Sequence, residues 1–467
     1  MASTFFGLEI GARSLAASQA ALDVIGHNTS NINTPGYSRE TVTLQATDPY
    51  SISAYGQLGT GVDVASVTRV RDDFTDKQSY DASAKQGTYG ALSDALNRIQ
   101  QVYTEPGSSG IGSQLTAFFN SFSDLAANPS SPALRAAVRN AAQSVTTAFN
   151  SVSGALGQIG PNLASQVQSK IKDANAIATE IGALNTQISN ALSSGQHPND
   201  LLDKRGTLIA QLSGIVQVKT VDATDSATGQ PTGEVNISVS GISLVQGGIV
   251  SPLPSTVSTQ TGATALIDSN GDSINLRGGA LVGLLQAQNL LTGYQQNLDS
   301  LASGVISAVN AQQAAGVDLT GAPGQPIFIG TDAASIGLSG TILSNADSIA
   351  AAAAPTPPAL FASGNGDNAR ALAGLANQVS VGGATFNDFY NTGIAQVGAD
   401  AKSASAQASN QQQVVNQLQN QQSSVSGVNL DEELTKLLQF QRSYQASAKI
   451  VNTFDDVLDR IINYLIK

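Results

Sequence analysis

Any chemistry in this chain has to come from histidines, carboxylates and hydroxyls, because its 467 residues include no Cys. That removes a disulfide framework, a thiolate metal site and a thiol nucleophile at once. The two histidines, His27 and His197, stand beside no carboxylate at metal-ligand spacing. His27 reads as a packing residue next to a turn, and His197-Pro198 as loop. Asp268-Ser269-Asn270-Gly271-Asp272 has the start of a calcium loop, but no bidentate Glu follows at EF-hand spacing. Asn-Gly is instead the strongest short hairpin signal. Asp72-Asp73 and Asp455-Asp456 are paired acids, yet in charge-mixed helical surroundings they read as solvated faces. There is no Gly-rich phosphate loop and no nucleophile elbow. The expectation is a non-enzymatic chain with no catalytic residues, no cofactor and no metal.

The composition limits the partners too. A formal net charge of −12 argues against binding nucleic acid or an anionic membrane surface. No run approaches the roughly 20 apolar residues of a transmembrane helix. No Lys or Arg precedes the apolar Phe5 and Phe6, so a Sec signal is not expected, and taken bare the chain reads as cytoplasmic.

The strongest pattern lies between Asn429 and Leu465. Leu430, Leu437, Tyr444, Val451, Leu458 and Leu465 recur at seven, with Phe440, Ser447, Phe454 and Ile461 three residues on from Leu437 and its successors. This is an a/d seam, the mark of a helix that buries one narrow stripe against another helix. Asn429 with Glu432 three residues later forms a capping-box signature. At the other end of the chain Leu8, Leu15 and Leu22 also recur at seven, with Gly11, Ser18 and Ile25 three further on. Asn31-Ile32-Asn33-Thr34-Pro35-Gly36-Tyr37 closes that pattern, since Thr34 precedes a proline and Pro-Gly is turn chemistry. The two seams are either ordinary core helices or one antiparallel pair with everything else inserted between them.

Between the ends the period changes twice. Leu92, Leu96, Ile99 and Tyr103, then Leu115, Phe118, Phe119 and Phe122, have helical spacing. A very long helix runs from Pro132 to about Leu192, with a kink or break expected at Gly160-Pro161. Asn199 or Asp200 caps a helix through Leu212. Val235, Ile237 and Val239 alternate with polar residues, so short strands and turns follow. Helix returns after Gly278-Gly279, and Val317 to Leu360 reads as a second β-type excursion ending in the Ala/Pro tract 350–358, a linker or edge. Ala401–Val425 is a polar helix with a thin apolar seam, Val414, Leu418 and Val425, either solvent-facing or awaiting neighbours. The fold class expected is α+β with nested, discontinuous domains. Residues 1–45 pair with 428–467 as a terminal helical domain. Residues 46–214, 278–316 and 361–427 form a mainly helical core, and 215–277 with 317–360 a β-rich outer domain.

Ala20-Ala21-Leu22-Asp23-Val24-Ile25-Gly26-His27-Asn28, continuing through Asn33-Thr34-Pro35-Gly36-Tyr37-Ser38-Arg39, resembles the N-terminal signature of bacterial flagellar rod, hook and hook-associated proteins. Ser426–Glu433 and Phe440-Gln441-Arg442-Ser443-Tyr444 resemble the matching C-terminal signature. With the blocks Asp200–Arg205 and Gly278–Leu285, the chain most resembles the hook-associated protein 1 family. That resemblance implies a secreted structural subunit at the hook–filament junction of the flagellum, leaving through type III export without a cleaved signal. It also implies the partners: copies of itself in a ring, the hook protein, the second hook–filament junction protein, and an export chaperone before secretion. Another axial protein is the alternative, and a peptidoglycan hydrolase on an axial scaffold a more distant one. The terminal seams carry the function in this reading. Leu8, Leu15, Leu22, Ile25, Asn31, Thr34, Pro35, Gly36, Tyr37, Leu437, Phe440, Tyr444, Val451, Phe454, Leu458, Ile461 and Leu465 form the assembly interface. A glycine-weakened helix of this length is marginal alone in water, so the ends are expected to gain order on assembly.

Overall fold

Leu134, Val138, Val145, Val152, Leu156, Leu163, Val167, Ile171, Leu184 and Ile188 keep one apolar face over more than fifty residues, and a single helix follows from it. The computed structural model describes residues 5–52, 56–103, 107, 110–260, 263–267, 270–354 and 362–465. It opens with α1 (Phe6–Ser30) and the strands β1 (Glu40–Ala46), β2 (Tyr50–Ile52), β3 (Gly56–Leu58) and β4 (Val62–Arg69). β1 pairs antiparallel with β4, from Glu40 opposite Arg69 to Ala46 opposite Val62, and β2 pairs with β3 at the far end of that ribbon. Helices α2 (Asp73–Val102), α3 (Ile111–Ala127), α4 (Pro132–Ser193) and α5 (Asn199–Ile215) follow. Asp72 caps α2 through its carboxylate and Ser131 caps α4 through its hydroxyl. So Asp72 is a helix cap, whereas Asp455 and Asp456 are solvated.

Helix α4 passes through Pro161 without a break. Pro161 is exposed and Gly157 meets open space, so water can take the carbonyl that loses its amide partner. A helix-interior proline costs about 3 kcal/mol of propensity, offset by roughly 0.4–1 kcal/mol from a stiffer unfolded chain. Pro161→Ala is therefore expected to raise stability by about 2 kcal/mol in denaturant unfolding; an unchanged midpoint would mean that the helix needs the proline locally.

The first β region is a four-stranded sheet, β5 (Lys219–Thr224), β6 (Pro231–Val239), β7 (Ile242–Gln246) and β8 (Ile249–Val250), in that order. The alternating Val235, Ile237 and Val239 are its buried face. A second small sheet joins β9 (Val257–Gln260), β10 (Ala263–Ile267) and β11 (Ser273–Ile274). The last two close the hairpin expected at Asn270-Gly271, with Gly271 at φ +87°. Asn185 of α4 donates to Val235 O at 2.9 Å and Gly247 O at 2.7 Å, tying the four-stranded sheet to the C-terminal part of α4.

Helix α6 (Ala280–Ala314) returns to the core, and β12 (Gly316–Val317), β13 (Phe328–Ile329), β14 (Gly337–Leu338), α7 (Gly340–Ser344) and β15 (Ala352–Ala353) follow. These pieces sit on the N-terminal part of α4. Arg135, 1% exposed, donates to Ile349 O at 2.6 Å, and Asn150 donates to Ile336 O at 2.8 Å. Residues 215–277 and 317–353 thus occupy different stretches of the same helix. The start of the Ala/Pro tract is an edge strand and not a linker: β15 pairs with β12, and Ala350 and Ala351 are fully buried. Residues 355–361 of that region lie outside the described residues.

Helices α8 (Asp367–Gly374), α9 (Phe386–Ser426) and α10 (Leu430–Leu465) complete the chain. The polar helix α9 finds its neighbour in α2. Val397, Ala401, Ala404 and Val415 are buried, Leu418 of the expected seam is half-buried, and its Val414 and Val425 are exposed, so the buried line coincides with that seam in neither valine. Phe118, Phe119, Phe122, Phe328 and Phe386 stack into one aromatic cluster of the core. Among the described residues, no helix is long and apolar enough to cross a membrane.

Candidate functional site

The two ends of the chain do meet. α1 and α10 lie antiparallel, and five contacts fix one register. A Cβ on Gly7 would collide with the Phe454 ring, and one on Gly11 would sit 2.8 Å from Val451 Cγ2. Ser14 Oγ lies 2.7 Å from Ser447 Oγ, Ser18 Oγ donates to Ser443 Oγ at 3.2 Å, and Asn28 Nδ2 donates to Glu433 Oε2 at 3.0 Å. Ala21 and Ile25 are buried between the last two of these pairs. On α10 the line meets the seam read from the sequence at Ser447, Val451 and Phe454, but passes through Ser443 and not the exposed Tyr444. On α1 it runs through Gly7, Gly11, Ser14, Ser18, Ala21, Ile25 and Asn28, one residue before the leucines at every second position. Leu8, Leu15 and Leu22 flank it, half-buried.

The reason is close packing. Phe454 and Val451 need space opposite them, and glycine and serine provide it while the backbones approach. Each glycine costs about 1 kcal/mol of helix propensity relative to Ala, which the contact must offset.

At the inner end of the pair a buried polar cluster joins it to the core. Asn28, 1% exposed, uses its whole amide. Nδ2 donates to Glu40 O at 2.9 Å and to Glu433, while Oδ1 accepts from Glu40 N and Tyr37 Oη, both at 2.8 Å. Lys436 completes Glu433 at 3.0 Å. Asp203 of α5 accepts from Ser38 N at 2.6 Å, Ser38 Oγ at 2.7 Å and Arg69 Nη1 at 2.8 Å. Arg71 bridges Ser38 and Asp76, and Gln422 donates to Asp76 at 2.7 Å. Arg39 N donates to Ser426 O at 2.8 Å, and its guanidinium reaches Glu432 at 2.7 Å. Asn429 does cap α10, accepting from Asp431 N at 3.0 Å. Glu432, expected to close the capping box, serves Arg39.

The turn Asn31–Tyr37 places this cluster. Asn31 ends α1, Thr34 N donates to Asn31 O and Tyr37 N to Thr34 O. Gly36 has φ +83° and lies so close to Thr207 Oγ1 of α5 that a Cβ would overlap it. Only glycine meets both demands without strain. Thr34, Pro35 and Gly36 are exposed and Asn31 and Tyr37 half-buried. They border a groove of about 460 Å³ against α5. Burial, with the carboxylates of Glu40, Asp200, Asp203 and Glu433 around it, pushes the Tyr37 hydroxyl well above its usual range.

Of the C-terminal seam, Leu437, Phe440, Val451 and Leu458 are half-buried, Tyr444, Phe454 and Ile461 partly exposed, and the Leu465 side chain lies outside the described residues. Sequence reasoning missed Asn28, Ser38, Glu40, Asp203 and Glu433 as members of the joint. For all but Glu40, which follows the N-terminal motif directly, the one signal was membership of the quoted motifs, because polar partners this far apart in the chain leave no periodicity. It also missed a further set of apolar residues on α10, Leu434, Leu438, Ile450, Val457, Ile462 and Tyr464, which like the seam residue Leu430 are exposed in the single chain.

Comparison with known proteins matches three stretches. Residues 96–328 match the family described as flagellar hook-associated protein FlgK helical domain, 419–464 flagellar basal body rod FlgEFG protein C-terminal, and 8–37 flagella basal body rod protein. The chain is 31% identical to flagellar hook-associated protein 1 of Bacillus subtilis (strain 168), over 99% of both chains. It is 28% identical to flagellar hook-associated protein 1 of Escherichia coli (strain K12), over 96% of this chain and 98% of that one. The solved structure of the flagellar hook junction protein FlgK from Burkholderia pseudomallei superposes with a TM-score of 0.64 at 18% identity, covering 75% of this chain and all of that one.

Proposed function

The chain belongs to the flagellar hook-associated protein 1 family, and from that premise we propose that its paired terminal helices are the surface through which it self-assembles at the junction. It is a structural subunit of the bacterial flagellum, exported to the hook–filament junction. Assembly places copies of the chain in a ring, with the hook protein on one side and the second junction protein on the other. An export chaperone holds the subunit before secretion, and no catalysis is involved.

One observation carries this reading. Helix α10 closes its inner face on α1, yet Leu430, Leu434, Leu438, Ile450, Val457, Ile462 and Tyr464 remain exposed outside that contact. Large apolar side chains concentrated on one surface helix mark an interaction site. Burying them at about 25 cal/mol per Å² would stabilise a helix pair whose own contact is made largely of glycine and serine.

The test is Leu434→Asp with Leu438→Asp. Both side chains are exposed in the single chain, so monomer stability should change by no more than about 0.5 kcal/mol each. Incorporation and motility in a strain lacking the protein should be lost. Normal filament attachment by the double variant would sink the reading.

A further inference from the structure

We propose that His27, Glu40 and Asp200 form a binding site for one divalent transition-metal ion of the zinc class, at the joint between the terminal helices and the core. The three residues come from the end of α1, the start of β1 and the first turn of α5. One ligand atom from each lies within 4.8 Å of the others. His27 Nδ1 and Glu40 Oε2 are 3.4 Å apart, about the separation of neighbouring ligands on a tetrahedral zinc with bonds near 2.0–2.1 Å.

The independent observation is Glu40 itself. Its side chain is only 10% exposed and faces His27. Among the described residues, no lysine or arginine lies within ion-pair distance of its carboxylate. The cations nearby are engaged elsewhere: Arg69 with Asp203, Lys204 with Glu180 and Lys436 with Glu433. The Glu40 carboxylate faces the imidazole of His27 and no fixed positive charge, and a carboxylate this buried is costly unless it is paired. Glu40 and Asp200 bring two carboxylates to one point beside the imidazole, the complement of a divalent cation.

The donor set decides the class of ion. One imidazole and two carboxylates suit zinc and its first-row neighbours, whereas calcium and magnesium favour all-oxygen sites. Tyr37 does not compete for the nitrogen. Its single proton goes to Asn28 Oδ1 at 2.8 Å, which leaves the Nδ1 contact at 3.2 Å to be made or released by the imidazole alone. Water would supply the remaining position from the bordering groove. A bound ion would pin the end of α1 to α5, two elements that share no other charged link through His27. The site stands whether or not the terminal pair mediates assembly.

The experiment uses the untagged full chain, stripped with chelator and titrated with zinc by calorimetry at neutral pH, with thermal unfolding in parallel. One ion per chain and a zinc-dependent rise in Tm are expected. His27→Gln and the exposed Asp200→Asn should each weaken binding at least about tenfold and abolish the rise, and His197→Gln should change neither. Asp200 is exposed, so its variant keeps the test clear of a folding defect. Parental affinity in both ligand variants, loss of binding in His197→Gln instead, or no binding by the parent chain would each overturn the site.

Discussion

Asn28→Leu is expected to destabilise the joint between the terminal helices and the core by about 3 kcal/mol, as when one substitution breaks a buried hydrogen-bond network. The amide makes four hydrogen bonds at a site 1% exposed. Leucine fills similar space but strands the Glu40 N–H and removes one partner each from the Tyr37 hydroxyl and the Glu433 carboxylate, which keep His27 and Lys436. Each buried unpaired group costs about 1–3 kcal/mol, and a charged one more. Denaturant unfolding followed in α1 and α10 should shift to lower midpoint, with the core helices unfolding later. Glu433→Gln separates the contributions. Its side-chain oxygen still accepts from Asn28 Nδ2, and it loses only the contact to the partly exposed Lys436, so it should cost far less. Equal effects of the two variants would mean that the charge, and not the amide network, holds the joint.

Gly11→Val should separate α1 from α10 while leaving the core intact. A Cβ there would sit 2.8 Å from Val451 Cγ2 and 3.6 Å from the backbone nitrogen of Val451. A side-chain rotation can relieve the first contact, but the extra methyls then meet backbone, and only separation of the helices makes room. Overpacking of this kind costs about 1–3 kcal/mol, comparable to the whole pair energy of a glycine- and serine-lined contact. The readout is direct because the chain has no Cys. Ser14→Cys with Ser447→Cys replaces hydroxyls 2.7 Å apart and should oxidise to one intramolecular disulfide. Adding Gly11→Val should reduce its yield severalfold and abolish motility. Gly26→Ala is the matched control: a Cβ there meets nothing within 4 Å, so it should strengthen α1 by up to about 1 kcal/mol with motility kept. Full cross-linking in the Gly11→Val chain would show that the pair accommodates the side chain without separating.

The sequence by itself determined what depends on local spacing and backbone chemistry. The heptads of α10, its Asn429 cap, the Thr34-Pro35-Gly36 turn, the Asn270-Gly271 hairpin and the alternating face of Val235, Ile237 and Val239 all rest on residues a few positions apart. The pairing of the two ends was one of two readings that the spacing left open, and the fold decided it. The tertiary structure alone decided which face of α1 turns inward. The heptad reading held Gly11, Ser18 and Ile25 of the inward face but gave its other positions to Leu8, Leu15 and Leu22, whereas a helix facing Phe454 and Val451 presents Gly7 and Ser14 there. The same physics placed α9 on α2 through Ala401 and Ala404. It also decided that Pro161 would not break α4, because that position faces water. The polar joint was the least legible part. Asn28 and Glu433 are 405 positions apart, and Ser38 and Asp203 165 apart. A hydrogen bond depends on direction and distance in space, and neither is written in the order of residues until the chain has folded.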